Sequence, residues 1–136
     1  MIVLDASMAI AWQFDVESTE QTDAVLDRVI RDGATVPGIW RLEVANALRM
    51  GVRRKRCSNA ELEDALAQLG ELSIEDDCET ATHAWTTTLT LASDHSLTLY
   101  DAAYLELALR LHLPLASCDR DLIGAARMHG LEVLTS

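Results

Sequence analysis

The chain has 136 residues, 49% of them hydrophobic and 24% charged, with 6 glycines and 2 prolines. This length and composition predict one globular domain, 1–136, and exclude a disordered or low-complexity chain. The 11 basic and 22 acidic residues give a net charge of −11, which argues against a simple nucleic-acid-binding protein because a polyanion is repelled.

The location of the protein is predicted from two features of the sequence. No apolar run is long enough to cross a bilayer, and no basic segment followed by an apolar one begins the chain, so we expect a cytoplasmic protein.

The three cysteines, Cys57, Cys78 and Cys118, are widely spaced and odd in number. We therefore expect reduced thiols, and neither disulfides nor a zinc site.

The first quarter of the chain is predicted to form a strand, two helices and a second strand, in that order. Residues 2–4 are apolar and too short for a helix, so they predict a buried strand with Asp5 at its exit. A short helix over 7–14 is expected next. The spacing of the apolar residues over 20–32 predicts an amphipathic helix with Val25, Leu26, Val29 and Ile30 buried, and a second strand is expected over 34–36.

The next segment carries a candidate acid on a helix. A helix is predicted over 40–55, and its buried stripe comprises Val44, Ala45, Leu48 and Val52. Glu43 and Asn46 lie three positions apart at the border of this stripe, where a carboxylate can face a cleft. Ser58 and Glu61 form a capping box that predicts another helix, ending near residue 69.

The third quarter is predicted to contain an edge strand and two helices. The strand falls at 73–74, and one continuous helix is expected over 80–92. Thr98 is the predicted N-cap of an apolar helix reaching residue 111, so Asp101 falls in its first turn, where free N–H groups favour a carboxylate. Glu106 and Arg110 are expected to form the ion pair of the solvent-exposed face of that helix.

The last segment repeats the pattern of the first, a short apolar strand that ends at an acid and is followed by a helix. A strand over 115–117 ends at Asp119, a helix follows over about 121–128, and a last strand is expected over 132–134. Strands that alternate with helices predict an α/β fold with a parallel sheet of four to five strands and helices on both faces. Ligand crevices of such sheets lie outside the carboxyl ends of adjacent strands, where the winding reverses.

The candidate site is a set of acids at element ends, namely Asp5, Glu43, Asp101 and Asp119, which we call the acidic cluster. Each of these acids, taken alone, is better explained as a helix cap or a solvated turn residue than as a metal ligand. If they converge, two carboxylates about 4 Å apart repel by roughly 4 kcal/mol, so a cluster stays ionised only with cations between its members. Oxygen ligands without histidine predict Mg²⁺ or Mn²⁺.

Four motifs, in this order along the chain, carry a resemblance to a known family. They are Val3-Leu4-Asp5-Ala6-Ser7, Val36-Pro37 leading to Leu42-Glu43-Val44-Ala45-Asn46, Tyr100-Asp101-Ala102-Ala103-Tyr104, and Ala116-Ser117-Cys118-Asp119-Arg120-Asp121-Leu122. With them, nearly the whole chain resembles a PIN domain, and within that superfamily the VapC toxins of bacterial toxin–antitoxin pairs.

This resemblance implies a single PIN-like domain and a metal-dependent endoribonuclease. Its catalytic and metal-binding residues would be the acidic cluster, with Asp121 as an outer metal ligand and Ser7 and Asn46 as supporting residues. In such an enzyme a metal-activated water attacks the phosphodiester in line.

The resemblance also implies partners. They are a cognate antitoxin that covers the active-site groove, a cellular RNA of the transfer or ribosomal class, and a second copy of the chain in a homodimer. The basic residues concentrated after the second acid are expected to contact RNA phosphates. We call them the basic cluster: Arg49, Arg53, Arg54, Lys55 and Arg56.

Two other functions remain open at this stage. One is a catalytically silent PIN-fold module that binds RNA or protein, although the complete set of acids argues against it. The other is a Mg²⁺-dependent phosphotransfer or receiver domain, which also uses acids at strand ends. Its usual phosphate-contacting lysine and glycine-rich loop are not found, since Lys55 is the single lysine.

Overall fold

The computed structural model describes all 136 residues, Met1–Ser136. Its five strands are β1 (Ile2–Leu4), β2 (Ala34–Val36), β3 (Ile74–Asp76), β4 (Leu115–Ala116) and β5 (Val133–Leu134). Its eight helices are α1 (Ala6–Ala11), α2 (Glu20–Asp32), α3 (Trp40–Arg53), α4 (Asn59–Gly70), α5 (Thr80–His83), α6 (Thr87–His95), α7 (Leu99–Leu111) and α8 (Arg120–Met128). None of these helices combines the length and the apolar character that crossing a lipid bilayer requires.

The strands form one parallel sheet in the order β3-β2-β1-β4-β5. The predicted α/β architecture with a parallel sheet is therefore confirmed. The chain winds from β1 outward to β3, then returns across the sheet to β4 and β5, so the winding direction reverses between β1 and β4. A crevice is expected at the carboxyl ends of these two strands, and both predicted strand-exit acids, Asp5 and Asp119, follow them.

The core lies on both faces of the sheet and is a single cluster of 27 buried residues. All three residues of β1 and of β2 are buried, as expected for strands of a parallel sheet that is covered by helices on both faces. The central helix α7 packs on β1 and on α8, and its residues 102–108 are all buried. The first turn of α7 is thereby placed over the middle of the sheet.

Local capping signals in the sequence are confirmed. The Thr98 hydroxyl accepts a hydrogen bond of 3.1 Å from the N–H of Asp101, which starts α7 at the predicted residue. Ser58 and Glu61 form the predicted capping box of α4. Gly33, which follows α2, has φ +77°, and a Cβ there would lie 3.0 Å from the carbonyl oxygen of Ser73, so this turn requires glycine.

The predicted helix over 80–92 is wrong. The chain forms two helices instead, α5 and α6, and Thr86 between them has φ −120° and ψ −98°, outside the helical region. Three consecutive threonines, 86–88, are poor helix formers because their branched side chains crowd the preceding turn. The first predicted helix is also shorter than expected, since α1 ends at Ala11.

Three burial predictions are wrong as well. Ile30 and Ala45 are exposed, so the apolar stripes of α2 and α3 are narrower than their spacing suggests. Glu106 was expected on the solvent-exposed face of α7, but it is 3% exposed. Its partner Arg110 bonds Glu106 at 2.7 Å and Asp77 at 2.7 Å, so the pair belongs to a buried ionic network. The prediction of free thiols is confirmed for all three cysteines.

Candidate active site

The two strand-exit acids are neighbours because their strands are neighbours. Leu4 of β1 pairs with Ala116 of β4, and the N–H of Asp5 donates to the carbonyl oxygen of Ala116 at 2.9 Å. Asp5 is 4% exposed and is the N-cap residue of α1. Asp119 is the N-cap residue of α8. The carboxyl edge of the sheet therefore brings together two acids that lie 114 positions apart in the sequence.

Two serines hold the Asp5 carboxylate. Its Oδ2 accepts hydrogen bonds from the hydroxyls of Ser7, at 2.5 Å, and of Ser117, at 2.7 Å. Each serine oxygen in turn accepts a hydrogen bond from a backbone N–H of the turn between β4 and α8. Ser7 accepts from Cys118 at 2.9 Å, and Ser117 accepts from Asp119 at 3.0 Å. Both serines bind Oδ2, and no group of the chain donates to Oδ1 of Asp5. Oδ1 therefore remains available to a ligand.

The third acid, Glu43, lies in the first turn of α3 and is held by α7. Its Oε1 accepts a hydrogen bond of 2.6 Å from the hydroxyl of Tyr104, whose side chain is completely buried. Burial raises the pKa of Glu43 above its usual value, the Tyr104 hydrogen bond opposes this effect, and the charge of Asp101 adds to it. The carboxylate of Glu43 is thus fixed by a side chain from the helix that carries Asp101.

Three acids of the cluster have a pKa that is raised in part by the charge of another member. Burial raises the pKa of Asp5 to about 6, and the charges of Glu43 and Asp119 add to this rise, while the two serine hydrogen bonds oppose it. Burial also raises the pKa of Asp101 to about 6, with further contributions from the charges of Asp119, Asp5 and Asp121. The predicted acidic cluster therefore occupies one region of the molecule.

This cluster contains no compensating cation from the protein. No arginine, lysine or histidine forms an ion pair with any of the four acids. Carboxylate oxygens without nitrogen or sulfur donors are what a hard divalent cation prefers. The donor set, together with the unbonded Oδ1 of Asp5, therefore fits Mg²⁺ or Mn²⁺.

The side chains are not arranged as a finished metal site. No group of three or more His, Cys, Asp or Glu side chains lies close enough to hold an ion. Two of the four carboxylates are turned to protein donors, since Asp119 caps α8 through Leu122 at 2.9 Å and Glu43 binds Tyr104. Metal binding would require these two carboxylates to turn away from their present partners.

The other predicted site residues lie around the cluster. Ser7 supports Asp5 directly, as described above. Asp121 is exposed in the first turn of α8, and its charge acts on Asp101. Asn46 is exposed on α3, and its side chain makes no hydrogen bond within the chain.

The basic cluster is not part of the acidic crevice. It occupies the second half of α3 and the turn that follows, and Arg53 lies ten residues beyond Glu43, or about 15 Å along the helix. Arg56 already has partners within the chain. It forms an ion pair with Glu17 at 3.0 Å, and its guanidinium lies 4.1 Å from the ring centroid of Phe14. The remaining four cations of the cluster make no ion pair.

Sequence reasoning missed two residues of this site, Ser117 and Tyr104. Ser117 was expected only as a strand residue, yet it is completely buried and bonds Asp5. Its position two residues before Asp119 was the available signal. Tyr104 follows Asp101 by three positions, which places both side chains on one face of a helix, but its partner Glu43 lies on another element.

Comparison with known proteins identifies the family and the fold. A family model described as PIN domain matches residues 2–128. Comparison with curated proteins gives no match.

Several solved structures have a similar fold. PAE2754 from Pyrobaculum aerophilum is 20% identical with a TM-score of 0.64, covering 98% of this chain and 88% of that one. FitAcB from Neisseria gonorrhoeae is 17% identical with a TM-score of 0.67, covering 98% and 96%. A chain of FitAB bound to the IR36 DNA fragment is 20% identical with a TM-score of 0.61, covering 99% and 94%. Each likeness is one of fold.

Proposed function

Since the chain belongs to the PIN domain family, we propose that it is a Mg²⁺- or Mn²⁺-dependent endoribonuclease and the toxin of a type II toxin–antitoxin pair. One observation carries the proposal. Burial and the charges of other acids in the acidic cluster raise the pKa values of Asp5, Glu43 and Asp101 beside the reversal point of the sheet, and no cation of the protein forms an ion pair with any member of the cluster. Such a site is complete only with a divalent cation.

The residues of the chain have distinct roles in this proposal. A divalent cation, when bound, supplies an activated water and neutralises charge on the phosphate. Asp5 offers Oδ1 to the cation because Ser7 and Ser117 hold Oδ2. Asp101 and Asp119 complete the oxygen donor set with Glu43. Asp121 is an outer ligand, and Asn46, three residues from Glu43 on α3, supports the site.

The partners are part of the same proposal. The substrate is a structured cellular RNA of the transfer or ribosomal class, and its phosphates are contacted by the basic cluster. The net charge of −11 favours an antitoxin whose binding segment is basic. This segment covers the groove of the acidic cluster, where its cations would pair with the carboxylates. A cytoplasmic homodimer completes the proposed assembly.

The decisive experiment for the enzyme uses the purified chain and total cellular RNA. RNA ends are sequenced after incubation in Mg²⁺, in Mn²⁺ and in EDTA. We expect new, site-specific ends with either metal, none in EDTA, and a loss of at least about 100-fold in rate for Asp5→Asn and Asp101→Asn. The matched control is Asp64→Asn on the exposed face of α4, which should cleave normally. Equal cleavage in EDTA, or full activity of Asp5→Asn, would exclude the proposal.

The toxin assignment is tested separately in cells. Expression of the chain alone should arrest growth, and co-expression of the neighbouring upstream gene should relieve the arrest. If Asp5→Asn arrests growth as strongly as the parent chain, the protein acts by binding and not by cleavage. If acetyl phosphate instead labels Asp5, the protein belongs to the phosphotransfer class.

A further inference from the structure

Two histidines from different helices meet on the surface of the molecule. His95 is the last residue of α6, and His129 is the C-cap residue of α8. Their Nε2 atoms are 2.8 Å apart, and their rings meet edge to face with centroids 4.9 Å apart. His129 lies ten residues beyond Asp119, or about 15 Å along α8, so this histidine pair is separate from the acidic cluster.

The distance between the two nitrogens matches the spacing of two ligands of one metal ion. Nitrogen ligands about 2.0 to 2.1 Å from a cation lie about 2.9 Å apart when they subtend a right angle, and about 3.4 Å apart in a tetrahedron. The observed 2.8 Å is therefore closest to adjacent positions of a square-planar or octahedral ion. Ni²⁺ and Cu²⁺ adopt these geometries and bind imidazole well, whereas Zn²⁺ would require the pair to open by about 0.5 Å.

The surroundings of the histidine pair favour a cation. Both residues lie at helix C-termini, where unpaired carbonyl groups and the helix dipole stabilise positive charge. Neither ring makes another hydrogen bond within the chain, so no competing contact has to be broken. His129 is exposed and His95 is half-buried, and a cleft of about 450 Å³ leaves room for water beside His129.

The donor set also limits the site. No third His, Cys, Asp or Glu is close enough to complete a three-ligand group. Without a cation, the two rings satisfy each other through one N–H donor and one nitrogen acceptor. A bound ion would replace that single hydrogen bond by two coordinate bonds, once the two rings turn so that both nitrogen lone pairs point at the ion.

We propose that His95 and His129 form a two-nitrogen surface site for a divalent cation of the nickel or copper class, with water in the remaining coordination positions. The site is chemically distinct from the acidic cluster, because imidazole selects these ions while carboxylates select Mg²⁺ and Mn²⁺. It does not depend on the nuclease function proposed above.

The test is a calorimetric titration of the full chain with Ni²⁺ in the presence of excess Mg²⁺, which competes for carboxylate sites anywhere on the chain. We expect one equivalent of Ni²⁺ to bind, and each of His95→Gln and His129→Gln to weaken binding at least about tenfold because one of two ligands is lost. His112→Asn is the matched control at the C-cap of α7. Asparagine tolerates the positive φ of 54° at that position, and this variant should bind as the parent does.

A second measurement identifies the ligands directly. The chain has 4 histidines, so a histidine-selective NMR spectrum contains one set of ring signals for each of the four. Substoichiometric Ni²⁺ is paramagnetic and should broaden the signals of His95 and His129 before those of His83 and His112. The proposal is overturned if Ni²⁺ does not bind, if both single glutamine variants bind as the parent does, or if the broadening appears elsewhere. In those cases the pair is a hydrogen bond alone.

Discussion

The hydroxyl of Tyr104 donates a 2.6 Å hydrogen bond to Oε1 of Glu43 and so joins α7 to α3 across 61 positions of sequence. Burial and the neighbouring Glu43 raise the pKa of Tyr104 well above its ordinary value, so the phenol remains a donor at every relevant pH. The bond fixes one candidate metal ligand from the helix that carries another, Asp101. The spacing of the proposed donors therefore depends on how α3 and α7 pack.

Replacing this tyrosine by phenylalanine should weaken both the fold and metal binding at the site. Tyr104→Phe leaves the core filled but removes a donor from Glu43, so we expect a loss of about 1.5 to 3 kcal/mol in the free energy of unfolding and at least about tenfold weaker Mn²⁺ binding. Urea denaturation and Mn²⁺ titration measure the two effects. Tyr100→Phe is the control, since Tyr100 is 62% exposed and makes no hydrogen bond. Unchanged Mn²⁺ affinity in Tyr104→Phe would contradict this positioning role.

Ser117 is expected to set the charge state of Asp5. In Ser117→Ala one of two hydroxyl donors to Oδ2 is lost, and because hydrogen bonds to a carboxylate lower its pKa, the pKa of Asp5 should rise above about 6. The RNA cleavage profile should shift to higher pH, and the protein should lose about 1 to 3 kcal/mol of stability. Ser93→Ala, on the exposed side of α6, is the control. A pH profile that coincides with the parent's would refute the assignment.

The metal-free protein should be less stable when Asp5 is ionised. The folded-state pKa is about 6 and the unfolded value is 3.8, so between these values the folded chain binds a proton that the unfolded chain does not, and stability falls as pH rises through this window. In EDTA, Asp5→Asn should therefore be more stable than the parent at pH 7.5, by up to about 3 kcal/mol. This advantage should vanish near pH 4.

Urea denaturation of both proteins across this range, in EDTA and in Mn²⁺, measures the effect. Mn²⁺ should stabilise the parent at pH 7.5 and leave Asp5→Asn nearly unaffected, because the ion binds the ionised carboxylate. A stability difference that does not vary with pH would show that Asp5 is not the titrating group.

Arg110 should be essential to the fold although it lies outside the site. Its guanidinium bonds Glu106, Asp77 and Glu79, and the Glu106 side chain is 4% exposed. Arg110→Met would leave Glu106 charged and buried, so we expect a loss of about 3 to 5 kcal/mol, which should shrink at low pH as the carboxylate is protonated. Arg127→Met, on the exposed side of α8, should cost little. Equal stabilities of the two variants would argue against this network.

The basic cluster should contribute to RNA affinity through phosphate contacts. Four substitutions to glutamine, at Arg49, Arg53, Arg54 and Lys55, remove the cations that have no partner, and they leave Arg56 in its ion pair with Glu17. The slope of log Kd against log salt, measured in EDTA to prevent cleavage, should fall by about 0.7 for each lost contact to single-stranded RNA. The control is Arg28→Gln with Arg31→Gln on α2. An unchanged slope would remove these residues from the interface.

Local signals explain why much of the site could be predicted. Short apolar runs before Asp5 and Asp119 indicate parallel strands that end at an acid, and Thr98 marks the start of the helix that carries Asp101. These features depend on residues close in sequence, and the structure places each of them where the pattern predicts. The order of the elements along the chain does not by itself make β1 and β4 neighbours. They are neighbours because the sheet extends from β1 in both directions, with β2 on one side and β4 on the other.

The sequence by itself determined the strands, most helix starts and the set of acids, because propensity, capping and hydrophobic period act over a few residues. Only the tertiary structure decided that Ser117 and Tyr104 hold Asp5 and Glu43, that Glu106 is buried, and that His95 meets His129. Those contacts join positions 34 to 112 residues apart, or depend on what a helix face packs against. Their formation follows from the packing of helices on the sheet, which no local pattern of side chains specifies.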